Sequence, residues 1–338
     1  MDAVAALDRA IYFLDRQVAP REKVRAFKNA RDAISILDAG EIEQRVEAGT
    51  ITDLPGIGKS TGAVISDAVR GVDGGYLDEL DAASAVPVGT GGSLRAKLRG
   101  DCHMHSTWSD GGAPLSEMAA TARALGHEYV VATDHSARLT IAHGLSEERL
   151  KAQLVEVGRL NEAMSESGDP FRILAGMEVD IFEDGSLDLS NDMLRRLDIV
   201  VASVHSKLDL PSDAMTRRLV TAVANPNVDI LGHMTNRKLN TSGRPPSTFD
   251  AELVFAACAK FNTAVEINCR PERQDPPEDL LELAVEWGCY VAINTDAHAP
   301  GQLEWQAYGC DKAVRCGVDA SRIINTWTVD ELQTWAAS

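Results

Sequence analysis

The residues of this chain best suited to chemistry lie close together near residue 100. Residues 99–111 read Arg-Gly-Asp-Cys-His-Met-His-Ser-Thr-Trp-Ser-Asp-Gly and include His103, His105 and Asp110, although the whole chain has only eight histidines. Successive side chains of a β-strand point to opposite faces, so His103 and His105 project into one site. Imidazole and carboxylate groups at this spacing indicate a metal site.

Most of the other strands predicted below end in a residue that can bind a metal. These strand-end candidates are His135, Glu178, His205, His233, Asp296 and His298. Together with the first group they exceed what one tetrahedral ion can use, and mixed imidazole and carboxylate ligands suit Mn, Zn or Fe. The pattern therefore predicts two or three divalent ions. The alternative, a polar core without metal, would need a hydrogen-bond partner for each of these buried groups.

Such a cluster predicts hydrolysis of a phosphoester. Several ions can clamp the phosphate oxygens, lower the pKa of a bound water to about 7 and stabilise charge on the attacking and leaving oxygens. The same ligands also serve amidohydrolases, which cleave C–N bonds and often add a carboxylated lysine. No lysine ends a predicted strand in the right place, so a phosphoester is the favoured substrate.

Short β-rich runs that alternate with helical stretches must position these residues. From residue 98 to the end of the chain, this alternation predicts a parallel α/β barrel rather than an antiparallel sheet. In such barrels functional residues act from the carboxyl ends of the strands. The predicted strands are 98–103, 129–133, 173–179, 199–204, 228–231, 264–268 and 290–294.

The first part of the chain has a helical pattern instead. Apolar residues recur at helical spacing between residues 2 and 70, interrupted by the glycine turn Leu54-Pro-Gly-Ile-Gly-Lys59. A glycine turn before a helix exposes backbone N–H groups that can hold a phosphate, although a plain tight turn is the other interpretation. Residues 84–93 have the composition of a linker. We therefore predict a helical domain at 1–83, a linker at 84–97 and the barrel domain at 98–338.

Composition is that of an ordinary globular protein, with 44% hydrophobic and 25% charged residues. The formal net charge of −18 argues against nucleic acid as a partner, but residues 1–99 contribute little, with 13 Lys+Arg against 15 Asp+Glu. The six cysteines form no Cys-x-x-Cys pair, so reduced thiols are expected. Neither a signal sequence nor a run of about 18 apolar residues occurs, which predicts a cytoplasmic protein without membrane contact.

The strand-end motifs resemble those of the PHP (polymerase and histidinol phosphatase) family, in order along residues 99–338. The matching stretches are Asp101-Cys-His-Met-His-Ser106, Thr133-Asp-His135, Gly176-Met-Glu178, Ser203-Val-His-Ser206, Leu231-Gly-His233 and Asn294-Thr-Asp-Ala-His298. The resemblance implies a distorted (β/α)7 barrel with a trinuclear metal centre. It implies one ion held by His103, His105, Glu178 and Asp296, a second by Asp110, His135 and His298, and a third by Glu178, His205 and His233.

The same resemblance, with the position of each residue along the chain, implies further roles around the centre. Asp101 and Asp134 are expected to orient neighbouring imidazoles, and His127 is expected at the surface. Arginines after the fifth and sixth strands can reach a substrate phosphate or remain solvated loop charges, and Arg244 has the same two interpretations. The residues expected to act in catalysis are Asp296, His298, Arg237 and Arg270.

Within the family, the chain resembles bacterial family X DNA polymerases, whose PHP domain accompanies a small helical domain that binds DNA ends. Residues 5–70 resemble that helical domain, including a helix-hairpin-helix. The polymerase palm is missing between the two parts, so no polymerase activity is expected. The resemblance implies contact with nucleic acid through Gly56, Gly58, Lys59, Lys23 and Arg25.

The sequence thus predicts a metal-dependent phosphoesterase for polynucleotide ends, of DNA or RNA, with a place in DNA repair. It would act as a polynucleotide phosphatase or a 3′-5′ exonuclease, with a metal-bound hydroxide as nucleophile. The alternative is a small-molecule phosphomonoesterase such as a histidinol phosphatase, which leaves the helical domain without a role. A non-catalytic scaffold for DNA ends is the least favoured reading, because the set of candidate ligands is complete.

Overall fold

The computed structural model describes residues 2–72, 75–239 and 245–338. The chain forms two compact units. The helical unit consists of Met1–Val86 with Pro300–Gln302, and the barrel unit consists of Pro87–Ala299 with Leu303–Ser338. The predicted domain boundaries at 83/84 and 97/98 remain a proposal.

Between residues 2 and 84, the described part of the helical unit is built from five α-helices and one 3₁₀ turn. The predicted amphipathic helices are present, and their apolar residues form one core around Leu7, Leu14, Phe27 and Ile65. A further helix, α5, was not among the predicted elements. The helices are α1 (Ala3–Arg16), α2 (Arg21–Ser35), α3 (Ala39–Glu47), α4 (Lys59–Arg70) and α5 (Tyr76–Ser84), with the 3₁₀ turn at Ile51–Asp53.

The described residues of the barrel unit form seven parallel strands in the order β1 to β7. Neighbouring strands pair in sequence order, and a parallel bridge between Met104 and Ala297 joins the two ends of the sheet into a nearly closed barrel. The predicted α/β barrel is therefore confirmed. The strands are β1 (Gly100–Met104), β2 (Tyr129–Ala132), β3 (Arg172–Asp180), β4 (Ile199–Ser203), β5 (Ile230–Leu231), β6 (Ala264–Asn268) and β7 (Val291–Asn294).

Helices cover the outside of the strands and bury the apolar core between the two layers. The short helix α6 lies inside the segment predicted as a linker. These helices are α6 (Gly92–Arg95), α7 (Leu115–Ala124), α8 (Glu147–Glu166), α9 (Asn191–Leu194), α10 (Ser212–Val223), α11 (Ala251–Phe261), α12 (Glu278–Glu286), α13 (Gln306–Arg315) and α14 (Val329–Ala336). Short 3₁₀ turns lie at Thr140–Ala142, Pro300–Trp305, Ala320–Arg322 and Ile324–Thr326.

The long strand β3 carries the central residue of the site described below. Its first half pairs with β2 and its second half, from Gly176 to Asp180, pairs with β4. At the change of partner, a Cβ on Gly176 would lie 2.5 Å from Val131 Cγ1 and 2.8 Å from Ile199 O, so only glycine fits. Close packing at Gly176 thus fixes the position of Glu178 two residues later.

Across the described ranges, no helix combines the length and apolar character needed to cross a membrane.

Candidate metal centre

The predicted strand-end residues meet at the carboxyl pole of the barrel. His103 lies in β1 and His105 directly follows that strand, with their ring centroids 5.2 Å apart and both side chains fully buried. The intervening Met104 packs among apolar side chains on the other face. The period of two read from the sequence therefore places these two imidazoles together.

Glu178 lies at the centre of the cluster. Its Oε2 is 2.8 Å from His135 Nδ1 and 3.5 Å from His103 Nε2. Its Oε1 is 2.8 Å from His233 Nε2 and 3.2 Å from His205 Nε2. One carboxylate, 1% exposed, thus contacts imidazoles from four different strand ends.

Two aspartates complete the cluster on the side of the β1 loop. Asp296 Oδ1 lies 3.3 Å from His105 Nε2 and 3.5 Å from His298 Nδ1. Asp110 Oδ1 lies 3.5 Å from His135 Nε2 and 3.4 Å from His298 Nε2. Asp296 has a φ of 53°, which non-glycine residues rarely adopt and which recurs at functional sites.

The donor set fits divalent cations. Among the described residues, three overlapping groups have ligand atoms close enough to share an ion: His105, Asp110, His135 and His298; His103, His105 and Glu178; and His135, Glu178 and His205. Buried polar atoms normally have hydrogen bonds. Those of the cluster that have none are His103 Nε2, His105 Nδ1 and Nε2, Asp110 Oδ1, His135 Nδ1, Glu178 Oε2 and His233 Nδ1. Most of these atoms, such as His103 Nε2, His105 Nε2 and Glu178 Oε2, lie within 4 Å of another member of the cluster. Shared cations would satisfy them, whereas the hydrogen bonds of the protein do not.

The carboxylates and imidazoles of the cluster strongly shift one another's pKa values. Burial alone would raise the pKa of Glu178, but the surrounding imidazoles, His205 first, hold this pKa well below its usual value. Burial lowers the pKa of His205, and the Glu178 carboxylate outweighs that effect and raises it to about 9. By contrast, burial and the neighbouring His298 and His135 hold the pKa of His105 well below its usual value. His105 is thus held as the neutral imidazole that metal ligation requires, whereas a metal ion would have to displace the proton that Glu178 favours on His205.

Buried carboxylates outside the cluster hold its members in place. Glu266 Oε1 lies 2.6 Å from His103 Nδ1, which leaves His103 Nε2 facing Glu178. Asp180 Oδ1 accepts from the His205 backbone N–H and lies 3.3 Å from His205 Nδ1. Sequence reasoning missed both roles. Glu266 lies on a strand and its side chain points inward, like those of the candidate ligands. That position on a predicted strand was the signal from which its role could have been predicted.

The two aspartates predicted to orient imidazoles act on backbone and hydroxyl groups instead. Asp134 accepts from the backbone N–H and the hydroxyl of both Ser106 and Ser109, and so holds the loop between His105 and Asp110. Asp101 accepts from the His103 backbone N–H and from the Thr295 hydroxyl. The prediction that these two aspartates orient imidazole rings was wrong, because their carboxylates accept hydrogen bonds from nearby backbone N–H and hydroxyl groups instead of from a ring.

The predicted arginines differ in what they reach. Arg270 donates through Nη1 to the carbonyl of Asp296 and lies 2.9 Å from His298 Nδ1. Arg237 donates to the carbonyls of Arg273 and Gln274, so its guanidinium binds a backbone turn. Arg244 lies outside the described residues.

His127, which was expected at the surface, is 4% exposed. It precedes β2 at the amino end of that strand, away from the metal cluster. The expectation was wrong because the residue before a central strand of a barrel is covered by its neighbours.

The residues predicted to contact nucleic acid lie on the helical unit. Gly56 has a φ of 86°, and Gly58 begins α4 by donating its N–H to the Thr61 hydroxyl. Gly56, Gly58, Lys59 and Arg25 are exposed, and Lys23 is half-buried with its ammonium 5.8 Å from the centre of the Tyr76 ring.

Comparison with known proteins agrees with this geometry. The PHP domain model matches residues 101–270, which is half of the chain. The chain belongs to the PHP domain family. A "Probable phosphatase" of Thermoanaerobacter sp. strain X514 is 33% identical over 242 residues, covering 68% of this chain and 91% of that protein. The PHP fold, its donor cluster and these relatives make the protein a metal-dependent phosphoesterase.

Two further similarities concern a longer protein and a solved structure of low sequence identity. The "DNA polymerase/3′-5′ exonuclease PolX" of Bacillus subtilis strain 168 is 38% identical over 239 residues, which is 71% of this chain but only 41% of that protein. A histidinol phosphate phosphatase from Lactococcus lactis, solved with Zn, L-histidinol and phosphate, superposes with a TM-score of 0.46 at 18% identity over 66% of this chain and 95% of that one.

Proposed function

We propose that this PHP protein hydrolyses phosphoesters at polynucleotide ends, as a polynucleotide phosphatase or a 3′-5′ exonuclease. The observation that carries this assignment is the 38% identity to a protein named as a DNA polymerase and 3′-5′ exonuclease. This chain spans less than half of that relative, so its own activity has to be measured. The helical unit that precedes the PHP domain in the sequence supports a nucleic-acid substrate, because small-molecule hydrolysis gives it no role.

The proposed ligands are the nine clustered residues, arranged around two or three ions of Mn, Zn or Fe. When bound, these ions supply a polarised phosphate and an activated water. The protein's own groups prepare that arrangement. Glu266 keeps the proton of His103 on Nδ1, so that Nε2 faces the centre. Asp134 fixes the loop that carries Asp110, and Arg270 holds the ring of His298 through Nδ1. In-line displacement at phosphorus needs each of these groups at a fixed distance, which the buried hydrogen bonds provide. Asp296 and His298, beside Arg270, lie where catalysis would take place.

A basic face on the helical unit is the proposed contact with nucleic acid. A Cβ on Gly56 would lie 3.8 Å from the carbonyl of Asn29, so the glycine turn runs beside α2. Arg25 and Asn29 are four residues apart on α2 and therefore share a face. Backbone N–H groups at the start of α4, with Lys59 and Arg25, would hold phosphates without reading base sequence.

The test is a metal screen with end-labelled oligonucleotides of DNA and RNA that carry 3′-phosphate, 5′-phosphate or hydroxyl ends. Release of label without shortening identifies a phosphatase, and a ladder of shortened products identifies an exonuclease. Asp296→Asn should abolish either product, while the exposed Asp192→Asn should not. Failure of every oligonucleotide under every metal, with turnover of 4-nitrophenyl phosphate, would refute the polynucleotide assignment.

Charge reversal tests the helical unit in the intact chain. Arg25→Glu and Lys59→Glu should raise the KM for oligonucleotides and leave turnover of 4-nitrophenyl phosphate unchanged. Arg217→Glu on the barrel unit, where Arg217 pairs with Asp213 on the surface, is the matched control. Equal effects of the helical and control variants would remove the proposed contact.

The second candidate is a small-molecule phosphomonoesterase. It is favoured by the "Probable phosphatase" relative, which this chain covers over 91% of its length. Turnover of small phosphomonoesters far above that of any oligonucleotide would select it.

A further inference from the structure

The structure allows the arginines near the metal cluster to be ranked by what their guanidinium groups already bind. Arg270 uses Nε for Glu272 and Nη1 for Asp296 and His298, and packs 5.5 Å from the centre of the Trp305 ring. Arg237 is held by two backbone carbonyls. Both guanidinium groups are therefore held by protein partners, and only 15% of the Arg270 side chain is exposed.

Arg138, in the loop after β2, is anchored differently. Its Nε lies 2.8 Å from Asp180 Oδ2, and its guanidinium lies 4.5 Å from the centre of the Phe182 ring. Nη2 makes one long contact of 3.4 Å to the Ser206 hydroxyl. Nη1 has no hydrogen-bond partner within the described residues, and 34% of the side chain is exposed. One edge is thus fixed while the other faces solvent.

The anchor of Arg138 also touches the metal cluster. Asp180 is 2% exposed and accepts from the backbone N–H of His205 on Oδ1. It follows Glu178 by two residues on β3, and Arg138 follows His135 by three. Arg138 is therefore linked through Asp180 to His205, a member of the group formed by His135, Glu178 and His205.

We propose that Arg138 binds an oxygen of the substrate phosphate at the His135, Glu178 and His205 side of the centre. A planar guanidinium with a free edge suits a tetrahedral anion, and its anchoring by Asp180 and Phe182 reduces the entropy lost on binding. This inference rests on phosphoester hydrolysis at the centre, but it does not require that the substrate be a polynucleotide.

The test compares wild type with Arg138→Gln, Arg138→Lys and the control Arg217→Gln. Inorganic phosphate serves as competitive inhibitor, and 4-nitrophenyl phosphate and a 3′-phosphorylated oligonucleotide serve as substrates. Loss of a charged hydrogen bond predicts that Arg138→Gln raises the inhibition constant of phosphate and the KM about 10-fold or more. The inhibition constant and the KM of Arg138→Lys should lie between those of wild type and Arg138→Gln, because lysine keeps the charge without the planar edge. Bound metal, measured by elemental analysis, should equal that of wild type and of Arg217→Gln.

Two outcomes would overturn the proposal. An unchanged inhibition constant for phosphate would show that Arg138 does not touch the anion. A parallel loss of bound metal would show that Arg138 acts through Asp180 and His205 instead. If wild type cleaves 4-nitrophenyl phosphate but no oligonucleotide, the polynucleotide assignment fails while the phosphate constants still decide the role of Arg138. If neither substrate turns over, calorimetric titration of the metal-loaded variants with inorganic phosphate decides it.

Discussion

His127 gives a quantitative test of how completely the barrel excludes water at its amino end. The side chain is 4% exposed, and in the part of the chain that the structure describes neither ring nitrogen has a hydrogen-bond partner. Burial, assisted by the positive charge of Arg95, lowers the pKa of His127 to about 3. The folded state therefore holds this imidazole neutral.

The pKa difference sets the size and sign of the effect on stability. In the unfolded chain the pKa of histidine is about 6.5. Because the folded pKa is lower, the contribution is fully present above pH 6.5 and is lost as the pH falls towards 3. Each pKa unit corresponds to about 1.4 kcal/mol, so wild type should lose about 2 kcal/mol at His127 between pH 8 and pH 5.

The assay is urea unfolding of wild type and His127→Phe at both pH values. The other histidines titrate alike in the two proteins, so their effects cancel in the difference of unfolding free energies. That difference should move by about 2 kcal/mol in favour of the variant between pH 8 and pH 5. His143→Asn, at an exposed histidine, should show no such movement. The same difference at both pH values would refute the reasoning, because it would mean that His127 is hydrated or already charged in the folded protein.

Three further predictions concern a buried ligand support, a buried acid and a strained turn. Glu266 accepts hydrogen bonds from His233, Asn268 and Asn294 besides its contact with His103. In Glu266→Gln the amide N–H₂ would face these donors, so the affinity for Mn measured by titration should fall about 10- to 100-fold. An unchanged affinity would contradict this prediction. Burial raises the pKa of Asp229 to about 8, so the stability that the protonated side chain contributes is lost as the pH rises from 4 to 8. The unfolding free energy of Asp229→Asn in urea should therefore gain about 3 kcal/mol relative to wild type between pH 5 and pH 8. The same pH dependence of unfolding free energy in both proteins would exclude a protonated Asp229. Gly56 has a φ of 86°, so Gly56→Ala should lower the unfolding free energy by about 1–2 kcal/mol. Gly58 has a φ of −99°, so Gly58→Ala should lower it by less. An equal loss in the two variants would show that backbone strain at Gly56 is not the cause.

Much of the barrel could be predicted because the sequence pattern reflects burial directly. Strands covered on both faces appear as short apolar runs, and each of the seven predicted runs overlaps an observed strand. Period-two alternation also indicated that His103 and His105 share a face. The short helix α5 was missed because it is only nine residues long and its burial at Leu80 depends on packing against other helices.

The surroundings of the centre were harder to predict, because loop side chains take whichever partner the tertiary fold brings near. Arg237 and Arg138 both follow strands that end in a candidate ligand, and sequence position does not distinguish them. The structure does: Arg237 binds two carbonyls of a backbone turn, whereas Arg138 is anchored by Asp180 with 34% of its side chain exposed. Similarly, Asp134 precedes an imidazole in sequence but binds the loop serines in space.

Closure of the barrel and assembly of the cluster depend on the same contacts. Where β1 meets β7, the His105 N–H donates to the carbonyl of Ala297 and the Asp296 N–H donates to the carbonyl of His103. These bonds set the distance between the imidazoles of the first strand and the carboxylate after the last one. Because these backbone hydrogen bonds fix that distance, small shifts where β1 meets β7 would move His105 and Asp296 apart and weaken the binding of any ion that they share. The pole of the barrel that carries the chemistry is thus held by the contacts that close the sheet.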